Sequence, residues 1–109
     1  MQEEGVTRIN DNNTNKPQAF YLEQNYPNPF NPTTKIKYTV GDAYYASPVW
    51  VTLRVYDVLC NIIATLVNGE KSAGTYEIEF NAERLSSGIY FYRLHSGSFS
   101  ETRRMILMK

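Results

Sequence analysis

A chain of 109 residues with 42% hydrophobic content supports one domain, large enough to bury a core without metal or disulfide support. Its 11 Lys plus Arg balance 11 Asp plus Glu, so no net field gathers phosphates or anionic lipids and nucleic acid is not expected as a partner. The single cysteine, Cys60, excludes an internal disulfide, and no apolar run approaches the roughly 20 residues that cross a bilayer as a helix.

Residues 1–18 are polar and Asn-rich, with Asn10, Asp11, Asn12, Asn13, Asn15 and Pro17, and they lack an apolar signal-peptide core. They read as a flexible linker ahead of a domain over 19–109, and the chain reads as the tail of something larger. A first strand is expected from Phe20 to Tyr26. Tyr26-Pro27-Asn28-Pro29-Phe30-Asn31-Pro32 then packs three prolines at every second or third position. Proline fixes its own φ and keeps its predecessor out of the helical region, so the segment is expected to be a stiff extended crossover with Tyr26 and Phe30 in the core.

Ile36, Tyr38 and Val40 alternate with Lys35, Lys37 and Thr39, the mark of a strand with one buried face. After a tyrosine-rich loop from Gly41 to Pro48, Val49, Val51, Leu53 and Val55 alternate with Trp50, Thr52, Arg54 and Tyr56. Further strands are expected over Ile62 to Val67, Thr75 to Phe80, Ile89 to Leu94 and Phe99 to Met108. Asn68-Gly69, Ala73-Gly74 and Ser96-Gly97 supply turn signals between them. Seven short strands without helical periodicity predict an all-β, immunoglobulin-like antiparallel sandwich. Tyr90, placed after Leu85-Ser86-Ser87-Gly88, is a candidate tyrosine corner whose hydroxyl bonds back to an upstream backbone group.

The chain offers little for chemistry. His95, in His95-Ser96-Gly97-Ser98, reads as a solvated turn residue, and Cys60 as a half-buried turn cysteine with no second thiol. One Cys and one His are too few for structural zinc, and no regular calcium loop is present. No catalytic residue, cofactor or metal is therefore expected. Nine tyrosines and Trp50 support an alternative, a carbohydrate-binding or adhesive accessory sandwich of a secreted enzyme. Against it, Tyr38, Tyr76, Tyr90 and Tyr92 lie on strands where packing favours aromatics. Trp50 is the least explained ring. A third class is an immunoglobulin-like structural module.

The last strand is apolar on both parities, Phe99, Met105 and Leu107 on one and Ile106 and Met108 on the other. It must be covered on both sides or present apolar surface to a partner.

In order along the chain, Asn25 to Ile36, Val55-Tyr56-Asp57-Val58-Leu59, Ile62 to Leu66, Gly74-Thr75-Tyr76, Leu85 to Leu94, Gly97 and Glu101 to Lys109 resemble the blocks of the type A C-terminal sorting domains of the type IX secretion system. The motif positions are Tyr26, Pro27, Asn28, Pro29, Phe30, Asn31, Pro32, Gly88, Tyr90 and Gly97. Two positions depart from the family. Cys60 stands where glycine is common, and Arg103 and Arg104 occupy basic positions near the end, where only Lys109 is lysine.

The resemblance implies a non-catalytic address that carries an upstream cargo through the periplasm to the outer-membrane surface or the medium. It implies the translocon and outer-membrane shuttle or sortase proteins as partners, and removal of the domain at the surface by a cut in the linker. Arg103, Arg104, Met105, Ile106, Leu107, Met108 and Lys109 are the candidate recognition residues. An exposed sheet edge would also allow a homodimer by strand exchange.

Overall fold

The structure is a computed structural model that describes residues 20–41 and 48–109. The period-two segments form seven strands: β1 (Tyr21–Leu22), β2 (Thr33–Val40), β3 (Val49–Tyr56), β4 (Ile62–Lys71), β5 (Gly74–Asn81), β6 (Gly88–Ser96) and β7 (Phe99–Leu107). They pair antiparallel into two sheets, β1-β2-β5 and β4-β3-β6-β7. This is the expected immunoglobulin-like sandwich. Its fourth strand edges the second sheet, not the first as in a constant-type domain. The expected linker over 1–18 and the tyrosines of the loop after Gly41 lie outside the described residues.

Inward positions of both sheets close the core. Leu22, Ile36, Tyr38 and Val40 face Val51, Leu53, Val55, Tyr92, Leu94, Met105 and Leu107, all buried. Each large apolar side chain removed from water contributes about 1.5–3 kcal/mol, so the alternation read from sequence carries the fold's main driving force. Tyr38 stacks on Tyr76 across β2 and β5 with centroids 5.4 Å apart. These two tyrosines, with Tyr90 and Tyr92, pack as expected: three are buried and Tyr76 is half-buried.

Five local expectations are corrected, the fifth at Cys60. The first strand is only Tyr21–Leu22, although Tyr26 still bridges Lys35. The ladder breaks between them because the Asn25 amide donates to the Tyr92 hydroxyl at 2.7 Å. Asn68-Gly69 is not a turn: Asn68 opposes Thr52 and Gly69 opposes Val51. Two register shifts let ten residues of β4 follow eight of β3, which carries the turn on to Ser72-Ala73. His95 lies within β6, between Thr52 and Ser100, and is exposed on the strand. Tyr26 is 80% exposed, so of the two aromatics in the proline segment only Phe30 enters the core.

Cys60 is exposed, not half-buried, and takes the left-handed conformation (φ 68°) that glycine favours. Asp57 holds this turn. Its Oδ1 accepts from the Leu59 and Asn61 amides at 2.9 Å each, and its backbone carbonyl accepts from the Cys60 amide. Hydrogen bonds from the Asn61 backbone and side chain hold its carboxyl below the usual carboxylate range.

Candidate functional site

The proline segment crosses from one sheet to the other and lies along the outer edge of β7. The contact is a run of hydrogen bonds to edge groups that would otherwise face water. Gln24 Nε2 donates to the Arg104 carbonyl (2.7 Å), and the Ile106 amide donates to Asn28 Oδ1 (3.0 Å). The Phe30 amide donates to the Ile106 carbonyl, and the Met108 amide donates to the Phe30 carbonyl, each at 3.0 Å. Phe30 thus forms a parallel bridge to β7 at Leu107. Its ring, 2% exposed, packs 6.4 Å from that of Phe80.

A buried polar cluster fixes the start of this segment. Asn25 is 2% exposed, and its side-chain amide donates to Thr34 Oγ1 (3.0 Å) and to the Pro27 carbonyl (3.1 Å), which also accepts from Thr34 Oγ1 (2.8 Å). Tyr92 completes it by donating to the Glu23 carbonyl at 2.7 Å. Burial pushes the Tyr92 hydroxyl up to about 12, with the Asn25 hydrogen bond acting in the opposite sense. Buried polar groups without partners cost stability, so this closed set of bonds pins the turn into the proline segment.

The two ends of the resemblance therefore meet in space. Gly88 opposes Leu107 and Tyr90 opposes Met105, so the β6 motif lies beside the terminal strand as well. The Tyr90 hydroxyl donates to the Ser86 carbonyl at 2.7 Å, the expected tyrosine corner, and Tyr76 repeats the pattern on Ser72. Gly97 is remote. It makes the turn at the far end of the β6–β7 hairpin with φ 58°.

The seven candidate recognition residues divide by direction. Met105 and Leu107 are core. Arg103 points to the sandwich edge, where its Nε donates to the Leu22 carbonyl (2.6 Å) and its guanidinium pairs with Glu101 at 3.2 Å. Arg104 is exposed, Ile106 half-buried and Met108 59% exposed. The Lys109 amide donates to Ser87 Oγ (2.9 Å) and its ammonium to the Glu83 carbonyl.

Sequence reading missed Asn25, Thr34 and Tyr92 as partners of the proline motif. The only signal was their presence inside motif blocks, because their contacts span up to 69 residues. Trp50 is 57% exposed and its indole N–H donates to Asn68 Oδ1 at 3.0 Å, a contact created by the extension of β4. Among the described residues, no group of three or more His, Cys, Asp or Glu could hold a metal ion, and no helix is long and apolar enough to cross a membrane.

A family model described as a secretion system C-terminal sorting domain matches residues 24–108. Among curated proteins none matches. Two solved structures share the fold. Dimeric latent PorU from Porphyromonas gingivalis superposes with a TM-score of 0.60 at 14% identity, covering 89% of this chain and 10% of its own. PorZ of the same organism, described as an essential bacterial surface component of the type-IX secretion system, gives 0.53 at 18% identity over 83% of this chain and 11% of its own. The chain thus spans about a tenth of the length of these two proteins.

Proposed function

The chain belongs to the secretion system C-terminal sorting domain family, and from that premise we propose that its terminal strand, Arg103 to Lys109, is where the type IX export machinery reads the address. As a type IX sorting signal the domain directs export across the outer membrane, to the surface or the medium. The observation that carries the proposal is the convergence of motifs. Gln24, Asn28 and Phe30 brace the edge of β7, and Gly88 and Tyr90 lie against its other side. Residues that are distant in the chain are spent on presenting one strand.

On this reading the domain is not an enzyme. Its partners are the translocon and the shuttle or sortase proteins of the outer membrane, and its cargo lies upstream. It passes through the periplasm and is removed by a cut within residues 1–18, ahead of the domain over 19–109. An isolated copy would dimerise through strand exchange at β5, which among the described residues is paired on one side only. The PorU relative is itself described as dimeric.

The test is a periplasmically exported reporter fused to the chain in a host with a type IX system. The full chain should bring it to the surface. Deleting Met105 to Lys109 should abolish this, but would also remove core side chains. Lys109→Ala separates the two effects: export should fall while the melting temperature stays within a degree or two. Surface reporter at the full level in both variants would remove the terminal strand from recognition.

A further inference from the structure

The two outer faces of the sandwich carry charge in different ways. On the three-stranded sheet Lys35 opposes Glu79 and Lys37 opposes Glu77, so each cation has a carboxylate across the ladder. On the four-stranded sheet Arg54 directly opposes Arg93, and Phe91 opposes Arg104. Among the described residues, the outward positions of β3, β6 and β7 hold these arginines and neither Asp, Glu nor Lys. β4 adds Glu70, opposite Trp50, but that is four residues along β3 from Arg54, or about 13 Å. Like charges directly opposed destabilise a sheet, so this face carries an electrostatic conflict that the other face lacks.

Both opposed arginines are oriented. Arg54 Nε donates to Thr65 Oγ1 at 3.4 Å and Arg93 Nε to Thr102 Oγ1 at 3.1 Å. The Arg93 guanidinium also lies 5.1 Å from the centroid of the Tyr56 ring. With each Nε engaged by a threonine and no acceptor on the terminal amino groups among the described residues, those groups suit an external acceptor, and a carboxylate fits between two such forks. Tyr56, Phe91 and Ile106 lie half-buried beside them.

Arginine with aromatic and aliphatic neighbours, and no lysine, is the composition of a protein interface core. A polyanionic glycan or lipid surface gathers affinity from many cations, and three on a neutral chain supply little field. We infer that the face formed by β3, β6 and β7 docks on a folded protein that presents carboxylates among apolar side chains, with one carboxylate spanning Arg54 and Arg93. The inference rests on the sorting reading and relocates its contact. Because Gln24, Asn28 and Phe30 occupy the edge of β7, the partner reads the strand's outward face, through Arg104 and Ile106, and not its edge.

The experiment uses the full chain behind the exported reporter, with a photo-crosslinking benzoylphenylalanine replacing Ser100, which is exposed on the outward face of β7 opposite His95, in a parallel set. Arg54→Gln with Arg93→Gln should cut surface reporter to a tenth or less, which corresponds to about 1.4 kcal/mol of lost contact. The same variant should melt at an unchanged or higher temperature, because a like-charge pair has gone; a structural role would lower both. Lys35→Gln with Lys37→Gln should export normally. The crosslinker at position 100 should form an adduct with a protein, and the adduct should vanish with the arginine substitutions. Equal export from the two double variants, a polysaccharide adduct or no adduct overturns the inference. If the unsubstituted fusion is not exported, the sorting reading falls and takes this inference with it; if only the arginine variant behaves as the parent, the sorting reading stands.

Discussion

The four-stranded sheet has two edges, and they are protected by opposite means. At β7 the chain lays its own proline segment along the edge, and the Arg104, Ile106 and Met108 backbone groups find partners some 80 residues away in sequence. At β4 protection is local: two bulges twist the strand, Thr65, Asn68 and Glu70 are exposed along it, and Asp57 caps the turn that precedes it. An edge guarded by composition tolerates substitution one residue at a time. An edge guarded by a tertiary strap is rigid but depends on the strap's anchors, which suits a strand that must be presented in one conformation.

The largest test of this contrast is Phe30→Ala, which removes the buried anchor and should cost about 3–5 kcal/mol in urea denaturation. Ile62→Ala, on the exposed β4 side, should change stability by no more than about 0.5 kcal/mol. Similar losses at the two sites would erase the distinction.

Tyr92→Phe should cost about 1–3 kcal/mol by leaving the buried Asn25 amide without its acceptor. It should also change the alkaline behaviour. The folded Tyr92 titrates at about 12 against about 10 in the unfolded chain, so folding favours the neutral phenol. That stabilisation is full below pH 10 and is lost as pH rises from 10 to 12. Tyr38, raised chiefly by burial and then by its neighbour Tyr76, adds in the same direction. Thermal melts between pH 9 and 12 should therefore fall less steeply in Tyr92→Phe than in the parent.

Asn28→Ala deletes one strap bond to Ile106 and should cost about 1 kcal/mol, with faster hydrogen exchange at Ile106 as its local signature. Unchanged exchange there would mean that Phe30 alone holds the strap. The smallest effect lies on the β4 side. Cys60→Gly relieves a left-handed non-glycine residue at some cost in unfolded-chain entropy, for a net gain of about 0.5 kcal/mol in the denaturation midpoint.

The alternation in Ile36-Tyr38-Val40 and Val49-Val51-Leu53-Val55 determined these strands and their inward faces, because a period of two on a pleated backbone leaves one choice of buried side. Leu85-Ser86-Ser87-Gly88-Ile89-Tyr90 announced its corner for a similar reason, since the Tyr90 bond to Ser86 spans four residues. The motif blocks were legible too, but their arrangement was not. Tertiary structure decided that Phe30 enters the core while Tyr26 stays out, and that Asn68-Gly69 continues a strand along the full ladder of β3. It also decided that Asn28 reaches Ile106 and that Arg54 faces Arg93. Each of these depends on contacts between residues far apart in the chain, where local propensity is outweighed by ladder hydrogen bonds and burial that exist only once both sheets have closed.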